Sequence, residues 1–340
     1  MADVLRLDPY EATQLPVAGL GDGRLRELLA WAVLSPSPHN TQPWSWTVRD
    51  GAIELRGDYS RLLTVSDPDG RELIISCGSA LEHLLLRLGL DGDAVQVELM
   101  PDESEPHLFA RVMIGQGAPY PRRPELVDAM QMRRTNRTAY HGEPMGDDLR
   151  ASLDAACAEF GVATYWIRDA ATRATLVDLI MASDREQMKS TDFRHELAHW
   201  MRPKGSHSEE GMEADLLGQE GVAAYVAPLV VRTFDVGKKQ AAADSKLTEG
   251  SPDIVVLTSP TDDLGARLAT GRALAHLVLA AMAAGRYSAY MNQPCEVPAS
   301  RIRLAQLIDT DGHPQLVVRL GLADPVHRAL RMPVAEVLSG

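Results

Sequence analysis

The chain has 340 residues, 45% of them hydrophobic and 24% charged, and a formal net charge of -13. That is enough chain for a sizeable core and, by length, for two domain-sized units, while the acidic balance argues against a nucleic acid or an anionic membrane as partner. No run of about 18 apolar residues appears and the start lacks a basic segment followed by an apolar one, so a cytoplasmic address is expected; Cys77, Cys157 and Cys295 have no metal-ligand spacing and read as free thiols.

In chain order, Leu25, Leu28, Leu29, Ala32 and Val33 recur at helical spacing, and the helix is expected to end where Pro36 and Pro38 remove backbone donors. The following loop, Pro36 to Trp44, carries Ser37, Asn40 and Gln42, whose hydroxyl and amides suit a bound polar ring system. The same composition also makes an ordinary helix-to-strand turn. Gly78-Ser-Ala-Leu-Glu-His-Leu-Leu-Leu is a strongly apolar helix, and it recurs as Gly271-Arg-Ala-Leu-Ala-His-Leu-Val-Leu. Each copy is followed later by a strand-like run, Leu108 to Ile114 and Gln315 to Leu320.

Between the copies, Arg133-Arg-Thr-Asn-Arg137 is the densest positive cluster of an acidic chain. Guanidinium forks match phosphate oxygens, so the run is a candidate phosphate clamp, with a solvated basic face as the alternative. Residues 193–250 mix Gly, Ser, Glu and Lys with apolar patches such as Val222 to Val231, as lids and binding loops do. Within them, His195-Glu196-Leu-Ala-His199 fits the pattern of a zinc metalloprotease, with Glu209, Glu210 or Glu213 as possible third ligand. The helix carrying it is short and a hydrophilic lid supports a metal poorly, so a surface coincidence is the favoured reading.

The Ser35 to Trp44 run, the Arg133 to Arg137 run and the Gly321 to Val337 segment with Arg331-Met-Pro resemble the FMN-binding nitroreductase superfamily. Asp67-Pro-Asp-Gly-Arg-Glu-Leu, followed by Ser76-Cys-Gly, resembles its Acg-like branch. The resemblance implies an α+β, nitroreductase-like three-layer fold with mostly antiparallel sheets. Together with the repeat it implies two half-units, 18–115 and 133–335, packed as an intramolecular pseudo-dimer, with a lid insertion at about 193–250. It implies FMN as cofactor, with Arg133, Arg137 and Arg331 on the phosphate, Arg134 and Thr135 on the ribityl chain or ring edge, and Pro36, Ser37, Asn40 and less directly Gln42 approaching from the other half. Met291, Asn292 and Gln293 occupy the place where family members present backbone near the flavin N5, although many have a Glu-Gly pair where this chain has Asn292-Gln293.

The activity implied is transfer of electrons from NADPH or NADH through FMN to a small-molecule acceptor such as a nitro compound or quinone. No catalytic side chain and no metal are called for. The absence of a Rossmann fingerprint agrees with nicotinamide stacking directly on flavin. The alternative is a flavin-sequestering protein whose lid blocks turnover. A further homodimer of the whole chain stays open.

Overall fold

The computed structural model describes residues 21–217, 221 and 223–339. The chain opens with helix α1 (Asp22–Ala32), which buries Leu25, Leu28, Leu29 and Ala32 as their spacing predicts. Strands β1 (Trp44–Arg49) and β2 (Ala52–Gly57) form a hairpin, and helix α2 (Arg71–Asp91) follows. The Asp67 carboxylate accepts from the backbone N–H of Glu72 and Leu73, capping α2, and Gly92 ends it in the left-handed conformation that glycine adopts without strain. Strands β3 (Ala94–Leu99), β4 (Leu108–Ile114) and β5 (Ala118–Pro119) complete the local run.

The second part begins with helices α3 (Pro124–Met132) and α4 (Asp147–Ala158), strand β6 (Ala163–Trp166) and helices α5 (Ala170–Lys189) and α6 (Thr191–Trp200). Two short parallel strands, β7 (Met201–Arg202) and β8 (Met212–Glu213), frame a strap. Helices α7 (Ala223–Thr233) and α8 (Gly237–Glu249) lead to strand β9 (Asp253–Ser259), helix α9 (Leu264–Ala283), strand β10 (Tyr287–Tyr290), helices α10 (Gln293–Glu296) and α11 (Pro298–Leu307), and strand β11 (His313–Gly321). An irregular arm then ends in α12 (Val334–Val337) and β12 (Leu338–Ser339).

The fold is α+β. One sheet has the order β12-β1-β2-β4-β3-β5, antiparallel except for the parallel pair of β12 with β1, in which Trp46 faces Leu338. The other, β10-β11-β9-β6, is antiparallel throughout. Every residue of β9 is buried, because α9 covers one face of this sheet while α5 and α11 cover the other. The end of the chain therefore returns to the first sheet.

The two copies of the repeat are α2 and α9, and they cross at its glycines. A Cβ on Gly78 would lie 2.1 Å from Leu268 O, and one on Gly271 would lie 1.9 Å from Ile75 O. Only glycine lets the two backbones meet so closely. The repeated histidines differ in surroundings: His276 Nε2 and Arg272 engage the fully buried Glu82, to which Tyr120 also donates, whereas His83 Nδ1 contacts Ser79 O. Among the described residues, α2 is also the one helix long and apolar enough to cross a bilayer, but 89% of its apolar window is buried inside the protein. It is apolar all round because it packs on a sheet and on α9 at once.

Candidate functional site

After α1, the chain makes a single turn at Pro38–Asn40, with His39, Asn40 and Gln42 all at positive φ. Ser37 Oγ accepts from the Gln42 N–H at 2.9 Å, which fixes the turn. Asn40 Nδ2 donates to Gly211 O and Leu330 O, and its Oδ1 accepts from Arg331 at 2.6 Å. Gln42 is fully buried, donates to Glu209 O at 2.7 Å and accepts from the Met332 N–H. It lines neither of the cavities described below, so its amide ties the loop to the strap and the C-terminal arm.

The Arg133 to Arg137 run is pinned at its centre by Asn136. Its N–H donates to Ser288 O and its side chain donates to Asp324 O, while its Oδ1 accepts from Thr138. Around this anchor Arg133, Arg134, Thr135 and Arg137 face a narrow cavity of about 40 Å³. Pro36, Ser37 and Asn40 enter it from the other side, and the C-terminal arm adds Arg331 together with His327 and Arg328. Five guanidiniums thus converge, and among the described residues none of the five forms an ion pair with a carboxylate. The Nε atoms of Arg133, Arg134 and Arg331 are buried without a hydrogen-bond partner.

The electrostatics follow from that arrangement. Burial, reinforced by Arg133, Arg328 and Arg134, pulls Arg331 down to about 9, and burial with its arginine neighbours pulls Arg328 down to about 10. Arg133, Arg134 and Arg137 are all lowered, chiefly by burial. His39, half-buried and next to Arg137, loses enough hydration to drop to about 4 and is neutral at ordinary pH. Buried like charges of this kind call for an anion with several acceptor oxygens.

Pro36, Ser37, Thr135, Arg137 and Met212 also border a much larger cavity of about 1410 Å³. Its floor is α2, through Glu72, Ile75 and Ser76, and the segment Tyr290 to Gln293. Its outer wall is α7 and α8: Val226, Ala227, Val230 and Val231 line it, Val226 and Val230 being themselves exposed, and Tyr225, Leu229 and Phe234 are exposed without lining it. Met291, Asn292 and Gln293 all border this space, but the Asn292 side chain is committed to the frame, donating to Glu72 Oε1 and accepting from the Val317 N–H. Eleven of the twelve residues expected from the sequence therefore line one or both cavities, and Gln42 stands behind them.

Sequence reasoning missed His327 and Arg328. Arg328 lies three positions before Arg331, a spacing that was available as a signal, but only the path of the arm turns it toward Arg133. It also missed the carboxyls that border the large cavity, Glu72, Asp184, Asp244 and Glu296.

The histidine pair of α6 does not assemble a metal centre. His195 and His199 are exposed, and Glu196 accepts from the Val65 and Ser66 N–H groups and the Ser66 hydroxyl, joining α6 to the loop before α2. Among the described residues, the one group of converging ligand atoms is Glu213, Asp215 and His327, which includes neither histidine.

A Mycobacterium tuberculosis (strain H37Rv) protein provisionally named an NAD(P)H nitroreductase is 30% identical over 320 residues, covering 92% of this chain and 90% of the relative. The chain belongs to the NAD(P)H nitroreductase family. A second M. tuberculosis nitroreductase, acg, also provisionally named, is 26% identical over 321 residues, covering 92% of this chain and 94% of its own length. No family model matches the chain. Among solved structures, the FMN-dependent nitroreductase NfnB of Mycobacterium smegmatis in complex with NADPH overlaps 63% of this chain and 96% of its own, at 14% identity and a TM-score of 0.41. The structure of an Anabaena variabilis protein provisionally named a nitroreductase overlaps 80% of this chain and 69% of its own, at 11% identity and a TM-score of 0.46. Overlaps this partial carry no weight for the site, which rests on this nitroreductase's own residues.

Proposed function

We propose that this nitroreductase binds FMN and uses it to pass electrons from NADPH or NADH to a small organic acceptor of the nitro or quinone type. The observation that carries the reading is the cluster of five arginines without carboxylate partners among the described residues, opening onto a large cavity with one apolar wall. A phosphate monoester supplies close to two negative charges and the acceptor oxygens that the free Nε atoms lack. Arg133, Arg134, Arg137, Arg328 and Arg331 would hold it, with the Asn40 Oδ1 orienting Arg331. FMN, when bound, supplies hydride acceptance and delivery, and the protein contributes orientation and exclusion of water. Pro36 and Ser37 on one side and Tyr290 to Gln293 on the other give the ring system a slot between two half-units of one pseudo-dimer, 18–115 and 133–335; residues 18–20 lie outside the described residues.

A second reading, flavin sequestration, has its own support. Residues 193–250 act in it as a lid, of which 218–220 and 222 lie outside the described residues. The strap is held against the flavin loop by Gln42 on Glu209 O, Asn40 on Gly211 O and the 2.6 Å ion pair of Arg61 with Glu210. The deciding experiment is the visible spectrum of the purified protein under anaerobic conditions, before and after NADPH. A flavin band that bleaches on mixing supports the oxidoreductase, a persistent band supports sequestration, and no flavin band overturns both.

A further inference from the structure

Four carboxyls on four helices, Asp184 of α5, Asp244 of α8, Glu296 of α10 and Glu72 of α2, border the large cavity, as do the cations Arg137, Lys239, Lys246 and Arg319. Among the described residues Asp184, Asp244 and Glu296 form no ion pair, and Glu72 is paired only with its neighbour Arg71 at 2.9 Å. Asp184 is 3% exposed, yet its Oδ2 has no hydrogen-bond partner and borders the cavity. Gln293 and Gln240 both donate to Asp244 Oδ2, Gln187 donates to Glu296 Oε2, and Gln293 Oε1 is itself buried without a partner. The α7 residues that border the same cavity, Val226, Ala227, Val230 and Val231, are all apolar.

A buried carboxylate without a countercharge is costly, and a protein tolerates it by protonation or by binding a cation. We propose that this carboxyl cluster is a subsite for the protonated amine of an amphiphilic organic cation, whose apolar body lies along α7 and whose ammonium is held by Asp184 and Asp244. The ammonium donates to the free Asp184 Oδ2 and stands against carboxyls that form no ion pair with the cavity's own cations among the described residues. Burial and mutual repulsion hold Asp184 at about 8 and Glu72 and Glu296 at about 7; the nearby cations Arg71, Arg137, Arg185 and Arg319 offset this only in part. An inorganic cation would leave the α7 face uncovered, and an anion would meet the carboxyls directly.

The inference deepens the flavin reading by naming a ligand class for the same cavity, and it rests on that reading only for calling the ligand an acceptor. The test is calorimetric titration of the protein, with and without added FMN, using phenylbutylamine, phenylbutanol and phenylbutyrate as probes of matched shape. The expected result is that the amine binds roughly tenfold or more tightly than the alcohol and that phenylbutyrate binds weakest. In Asp184→Asn/Asp244→Asn the amine should fall to within about twofold of the alcohol, whose own affinity stays unchanged and reports an intact cavity. Equal binding of amine and alcohol, an amine preference that survives the double substitution, or no binding of any probe overturns the proposal. Failure of the flavin reading appears separately, as a missing visible band with the amine preference intact.

Discussion

Replacing Gly271 with Ala tests whether the two repeats must touch at their glycines. The new Cβ would lie 1.9 Å from Ile75 O and 2.8 Å from Ser79 N, where ordinary contact begins at 3.4 Å. Both partners are backbone of a buried helix, so no side chain can rotate away, and α2 and α9 must separate by roughly 1.5 Å along their crossing. Overpacking against rigid atoms costs about 3 kcal/mol, and the better helix propensity of Ala returns about 1 kcal/mol. The expected net loss is about 2 kcal/mol, read as a lower urea midpoint at unchanged slope. Gly23 in α1 is the control: nothing lies within 4 Å of its Cβ position, so Gly23→Ala should be neutral or stabilising by up to about 1 kcal/mol. A Gly271→Ala protein as stable as the wild type would refute the crossing, and equal losses at both positions would point to glycine backbone geometry instead.

Glu82→Gln should destabilise by about 3–5 kcal/mol in urea, because it leaves Arg272 and His276 around a buried site without their carboxylate. Burial opposes ionisation of Glu82, but the His276 and Arg272 contacts win and hold it down at about 2; its contribution is therefore complete above about 4.5 and lost as pH falls toward 2, visible as an acid transition that Glu82→Gln lacks. Arg331→Met should raise the melting temperature without FMN, by relieving the repulsion from Arg133 and Arg328, while weakening FMN retention by roughly 10- to 100-fold in equilibrium dialysis. An unchanged FMN affinity would remove Arg331 from the phosphate site. Asp184 has its ionisation raised to about 8 by burial and by Asp244, so the wild type loses stability as pH climbs from about 4 through about 8. Melting temperatures of Asp184→Asn and wild type should coincide near the low end of that window and diverge at the high end; a constant gap would mean that Asp184 does not titrate there.

Local pattern made much of this protein legible before folding. The spacing of Leu25, Leu28, Leu29 and Ala32 specified α1, the twin glycine-led runs specified α2 and α9, and the strand-like runs after them located β4 and β11, since each depends only on neighbours along the chain. The Arg133 to Arg137 run and the Pro36 to Gln42 loop were also visible as chemistry, because their functional groups lie within a few residues of one another. Tertiary structure decided the rest. It brought Arg328 and Arg331 across from the C-terminal arm, turned Gln42 into a tie instead of a cavity wall, gave Glu196 to the loop at Ser66 instead of to a metal, and returned β12 to the first sheet. It also gathered Glu72, Asp184, Asp244 and Glu296, which stand on four different helices, around one space. No periodicity records that meeting, because a carboxyl's charge is felt through space, and sequence fixes which carboxyls are present but not which of them lose their water together.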